Sequence, residues 1–201
     1  VVLLNNDTLV PGGWLDRLLK LFNDHPGLGL VGPVTNFAGN EQRIKLEGLT
    51  EKNFEEITAA YIDRQKGVWF TTENLGFFCV AIRRTLIEKI GYLDEKFGIG
   101  MFEDDDYCIR AKKNGFTLAV VEDCFVYHKG SVSFGKLAVA SYRALFEKNR
   151  SYFREKHGIK WALTDIAFSY WEKLDKDLSA YVKSSKIVSP EIERTLVRHE
   201  N

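Results

Sequence analysis

The chain has 201 residues, 45% hydrophobic and 13% aromatic, enough to bury the core of one good-sized domain with or without an extension. Acids and bases balance at 28 each, which excludes a global pull toward nucleic acid or an anionic membrane surface. Cys79, Cys108 and Cys124 are an odd count without CxxC spacing, which argues against a disulfide scaffold or structural zinc and for a reducing compartment.

The chain opens in "VVLL", a β-branched apolar run that reads as a buried strand of the parallel-sheet kind. A start inside such a run, with no initiator Met, is what a cut through a larger protein looks like. Asn5, Asn6, Asp7 and Thr8 follow as a polar loop at the strand's carboxyl end. "PGGWLDRLLKLFNDHPG" predicts a helix with Leu15, Leu18, Leu19 and Phe22 on one face, stopped at His25-Pro26-Gly27. "LGLVGPV" is a second strand, and residues 35–52 are a polar surface loop expected over a site. "NFEEITAAYIDRQKG" predicts a helix capped by Asn53, with Glu56 three residues on. "GFFCVAIRR" reads as a strand and "TLIEKIG" as a short helix ended by Gly91.

The Gly-rich "GYLDEKFGIGMF" then leads into four consecutive acids, Glu103 to Asp106, and a helix closed by Gly115. "FTLAVVE" and "CFVYH" are strand-like. From Lys136 the pattern turns helical, and Trp161, Phe168, Tyr170 and Trp171 carry it into the tail. Strands alternate with helices to about residue 128, so the order predicts an α/β sheet domain over 1–135 with an α-helical extension over 136–201 packed on it. No apolar run reaches the roughly 18 residues of a membrane span, and none reads as a signal peptide.

Three features carry chemistry. Asn5-Asn6-Asp7 lies just past a strand, where ligands of α/β sheets collect, and Asp7 offers a hard oxygen to a divalent cation. The bland alternative is a turn whose side chains satisfy their own backbone. Glu103 to Asp106 exceed what a helix N-terminus needs, so one carboxylate becomes a candidate general base in a cleft rimmed by Phe102 and Tyr107. Crowding raises a carboxyl pKa and a helix N-terminus lowers it, and an ionised base at neutral pH is the expected balance. His128 ends a strand and opens a Gly/Ser segment in which Lys129, Ser131 and Ser133 could meet phosphate oxygens. With Asp7 it would form a mixed oxygen and imidazole site of the kind manganese tolerates.

"LLNNDT", "GFFCVAIRRTLIEKIGYLDEKFGIGMFEDDDYCIRAKKNGF" and "FVYHKGSVSF" together resemble the inverting family 2 glycosyltransferases of GT-A fold, in order from residue 1 to about 158. The resemblance implies a partial GT-A, Rossmann-like mixed sheet flanked by helices, lacking most of an N-terminal nucleotide-binding half. It implies that Asn5-Asn6-Asp7 matches the family's DXD-type motif, although Asn at its first position departs from the strict form. Asp7 and His128 would hold manganese or magnesium on a nucleotide-diphosphate sugar. Asp104 would be the base, Glu103 would orient substrate, Asp105 would be the understudy, and Asp106 would cap or pair with Arg110. Gly76 would let the acceptor approach the backbone.

The expected partners are a nucleotide-sugar donor and a glycan or lipid-linked acceptor, with no nucleic acid. An unpaired strand edge would favour self-association. The expected location is the cytoplasm, with peripheral contact at the inner membrane face as the sharper reading of the aromatic tail. Two rival functions are a metal-dependent nucleotidyl or phosphoryl transferase and a degenerate, non-catalytic glycosyltransferase-like domain.

Overall fold

The computed structural model describes residues 1–130 and 139–158. Its elements run β1 (Val2–Leu4), β2 (Thr8–Leu9), α1 (Trp14–Asp24), β3 (Leu28–Val34), α2 (Phe54–Arg64), β4 (Trp69–Thr72), β5 (Cys79–Ile82), α3 (Arg84–Ile90), a 3-10 turn (Glu95–Phe97), α4 (Glu103–Lys113), β6 (Thr117–Phe125), β7 (Tyr127–His128) and α5 (Val139–His157). The chain divides into two compact units, Val1–Asn149 and Arg150–Asn201. Of the second, only residues 150–158 are described, and the aromatic tail lies outside the described residues.

A mixed five-stranded sheet in the order β1-β5-β3-β6-β4 forms the first unit's centre. β3 runs parallel to β6, while β5 and β4 are antiparallel to their neighbours. Every residue of β3 is buried, which explains why "LGLVGPV" is apolar without alternation: both faces are covered. The period of two sorts β5 between the faces. Val80 and Ile82 join Leu30, Leu118 and Val120 against Tyr107, Cys108 and Ala111 of α4 and Leu86 of α3. Cys79 and Ala81 face the other way, with Val31 and Ala119 against Leu18, Leu21 and Phe22 of α1.

Several expectations need correction. Among the described residues β1 pairs with β5 alone, antiparallel to it, and Leu4 is exposed, where the sequence reading expected a buried strand of the parallel kind. The buried face of α1 is Leu18, Leu21 and Phe22, and Leu15 and Leu19 stay exposed because the sheet meets the helix one position round. Asn53 sits at the cap of α2, but its amide closes the preceding turn instead, accepting from Thr50 N at 2.7 Å and donating to Gly48 O at 3.0 Å. β4 and the two-residue β2 have no counterpart in the sequence reading. Among the described residues no helix is long and apolar enough to cross a membrane.

Candidate active site

The register places the carboxyl ends of β1, β3 and β6 and the amino end of β5 along one edge of the sheet. A cleft of about 250 Å³ opens there. Asn5 enters it from the end of β1, Gly76, Phe77 and Phe78 from the approach to β5, and Glu103 and Asp104 from the start of α4. His128 and the segment Phe37–Gly39 complete its lining.

The smallest sheet makes the first half of the site. β2 and β7 pair Thr8 with His128 and Leu9 with Tyr127, and Lys129 N donates to Asp7 O at 2.9 Å. This ribbon brings the Asp7 carboxylate to 3.4 Å from His128 Nε2, with both side chains largely shielded. His128 Nδ1 lies 2.9 Å from Phe37 O. A carbonyl can only accept, so Nδ1 carries a proton there, and Nε2 is the ring nitrogen that faces Asp7. Phe78 stacks on the imidazole at 5.2 Å, and Phe37 meets it edge-on at 5.7 Å. The Asn36 amide exchanges two hydrogen bonds with the His128 backbone, accepting from its N–H at 2.8 Å and donating to its C=O at 2.9 Å.

A carboxylate oxygen and an imidazole nitrogen facing each other at this distance are donor types that a divalent cation accepts. Among the described residues no group of three or more His, Cys, Asp or Glu side chains stands ready to hold a metal, so Asp7 and His128 would be its protein donors and substrate or water oxygens the rest.

The second half is the start of α4. Four acids fill its first turn and Arg110, Lys112 and Lys113 its last, an arrangement that matches the helix dipole. Two adjacent non-glycine residues in left-handed conformation, Met101 at φ 74° and Phe102 at φ 73°, turn the chain into this helix. Each costs about 1–3 kcal/mol and persists where the surroundings enforce it. The enforcer is Asn149, fully buried, whose Nδ2 donates to Phe97 O at 2.7 Å, Gly100 O at 2.8 Å and Met101 O at 3.2 Å.

The four acids then part company. Asp106 is wholly buried and bonded to Arg110 Nε at 2.9 Å, and Arg110 also donates to Ile90 O and Tyr92 O. Asp105 accepts from Asn74 Nδ2 at 3.0 Å, and its own N–H donates to Asp104 Oδ1 at 2.9 Å. Glu103 Oε2 is buried without a hydrogen-bond partner. Burial, then the charges of Asp105 and Glu103, push the Asp104 carboxyl well above its ordinary range. Burial, then Asp105, pushes Glu103 upward too. The helix N-terminus does not win this contest, because desolvation outweighs it.

Other expected residues settle elsewhere. Phe102 and Tyr107 do not rim the cleft. Both are buried, Phe102 against Phe146 at 5.2 Å and Tyr107 between Phe77 and Arg110 with its hydroxyl on Gly91 O, because α4 turns that face into the core. Lys129 is ion-paired to Glu51 at 2.6 Å rather than free for phosphate. Ser131 and Ser133 lie outside the described residues. Asn6 is an exposed turn residue.

The residues that sequence reasoning missed are amides. Fully buried Gln42 donates to Pro33 O and accepts from Gly76 N at 2.7 Å and Asn40 Nδ2 at 3.0 Å. Asn40 reaches on to Asn74, which holds Asp105. Their signal was the cluster of amides in "TNFAGNEQ" directly after a buried strand.

A family model described as "Glycosyltransferase like family 2" matches residues 1–148. Among curated proteins, the uncharacterized protein y4gI of Sinorhizobium fredii is 23% identical over 183 residues, covering 83% of this chain and 19% of that protein. The chain therefore spans about a fifth of the length of that relative.

Proposed function

The chain belongs to glycosyltransferase like family 2, and on that premise we propose that it carries the acceptor-activating and diphosphate-binding groups of an inverting sugar transfer. The donor is a nucleotide-diphosphate sugar and the acceptor a hydroxyl of a glycan or lipid-linked glycan, in polysaccharide or cell-surface glycan synthesis at the cytoplasmic side of a membrane. The observation that carries this reading is that His128, partnered by Asp7, and the Glu103–Asp104 pair line one cleft.

Asp104 takes the acceptor hydroxyl's proton as that oxygen forms its bond to the anomeric carbon. The bond from that carbon to the diphosphate breaks on the opposite face, and its electron pair leaves with the nucleoside diphosphate. The raised pKa of Asp104 makes it a stronger base than an exposed aspartate, and the N–H of Asp105 holds its oxygen in place. Glu103, with one oxygen unpartnered, is free to accept from a substrate hydroxyl. Asp7 and His128 Nε2 are the groups that would hold manganese or magnesium, with the Phe37 carbonyl fixing the imidazole tautomer. When bound, such a cation offsets charge on the departing diphosphate. The rival two-metal phosphoryl-transfer reading wants several convergent carboxylates, and no group of three or more His, Cys, Asp or Glu side chains that could hold a metal gathers among the described residues.

The test is Asp104→Asn in the full-length protein. Sugar transfer is expected to fall by about 10²–10⁴-fold, the usual worth of a general base, while manganese-dependent nucleotide binding persists. Unchanged transfer would remove Asp104 as the base.

A further inference from the structure

Resting on the transferase reading, we propose that the segment Phe37–Ala38–Gly39 is the wall that faces the donor's sugar ring and decides which sugar is accepted. In a displacement at the anomeric carbon, the ring lies between the leaving diphosphate and the attacking hydroxyl. Here that is the space between Asp7–His128 and Asp104, and Phe37, Ala38 and Gly39 line the same cleft.

The wall is tied at both ends to the groups whose spacing matters. Before it, Asn36 bonds twice to the His128 backbone. After it, the Asn40 amide donates to Gln42 Oε1 at 3.0 Å and Asn74 Oδ1 at 3.2 Å, and Asn74 bonds to Asp105. Phe37 is held as an exposed aromatic surface: 42% of it is accessible. Its ring lies over Gly130, where a Cβ would approach to 2.5 Å. A fixed aromatic face suits the C–H face of a pyranose, as aromatic linings with a few polar groups suit small ligands generally.

Gly39 gives the independent observation. Its φ is outside the left-handed region and a Cβ there would meet nothing within 4 Å. Neither backbone conformation nor packing demands glycine at this lining position, so added bulk would meet open space rather than the protein.

The test uses the full-length protein with manganese, titrated calorimetrically with UDP, GDP, UDP-glucose, UDP-galactose and GDP-mannose. Gly39→Val should keep nucleoside diphosphate binding within about twofold and weaken the best-bound sugar conjugate by about tenfold or more, the usual cost of a misplaced methyl group or two. Phe37→Leu should change the ranking among the conjugates. Equal weakening of diphosphate and conjugate by a folded Gly39→Val protein, or no change in either, would overturn the proposal. If that variant does not fold, Phe37→Leu decides: a wild-type ranking overturns the wall, an altered one supports it. A wild-type protein that binds none of the five compounds would instead bring down the transferase reading, and the wall with it.

Discussion

Asn149 is the residue whose removal tests how the acidic run is held. Its Nδ2 faces three carbonyls of the loop that precedes α4, and its Oδ1 is buried without a protein partner. Asn149→Ala removes two hydrogen bonds of ordinary length and one long one, and leaves buried acceptors behind. At about 0.5–1.5 kcal/mol net per bond, with the orphaned carbonyls pushing each toward the upper end, the loss is about 2–4 kcal/mol. For a chain of this size that lowers the melting temperature by roughly 4–16 °C. The loop should also relax away from the paired left-handed conformations at Met101 and Phe102, so sugar transfer measured well below the melting temperature should fall as well. Asn149→Asp is the sharper probe. It conserves shape but turns the donor into an acceptor facing three acceptors, so at neutral pH it should cost more than alanine. The penalty should shrink in acid, where a protonated carboxyl can donate again. Thermal unfolding followed by circular dichroism at two pH values reads all of this. An aspartate variant as stable as wild type at neutral pH would refute the donor assignment. An alanine variant melting within about 1 °C of wild type would refute the clamp altogether, since 1 kcal/mol corresponds to more than that here.

The perturbed carboxyls set the pH behaviour. Asp104 must be ionised to act as base, so transfer should rise with pH through a limb lying above the ordinary aspartate range, and Asp105→Asn, which removes a neighbouring negative charge, should move that limb to lower pH. The sign for stability is the reverse of the common carboxylate case. An acid whose folded pKa is raised weakens the fold once pH climbs past its unfolded value, so Asp104→Asn should melt higher than wild type at neutral pH, with the difference vanishing in strong acid. Equal melting temperatures across the range would sink the claim that Asp104 is ionised against resistance. At Gly32 a Cβ would come within 2.6 Å of Gln42 Nε2 and 3.0 Å of Leu75 Cδ2, so Gly32→Ala should cost about 1–3 kcal/mol in urea unfolding, the usual price of overpacking. Wild-type stability there would mean that the buried Gln42 amide is not fixed.

The order of strands and helices was legible because the central strands are buried on both faces and so appear as unbroken apolar runs, "LGLVGPV" above all. The pairing of Asp106 with Arg110 was legible because four residues make one helical turn. What escaped was short or polar. The β2–β7 ribbon is two residues long and carries no period, yet it helps place Asp7 beside His128. Strands β1 and β4 are half-covered, so their composition does not announce which neighbour they pair with. Opposing terms acted on the acids, and only the depth at which Asp104 sits decides that burial prevails. The side chains proposed for the chemistry drew notice in the sequence because each stands at the end of a strand or helix. The distances between them did not, because they depend on Asn36, Asn40, Gln42 and Asn74, whose amides look like those of any solvated loop until the cleft closes around them. That division follows from physics: a carboxylate or imidazole shows its capacity in its identity, whereas an amide acquires a role only from the partners the fold supplies.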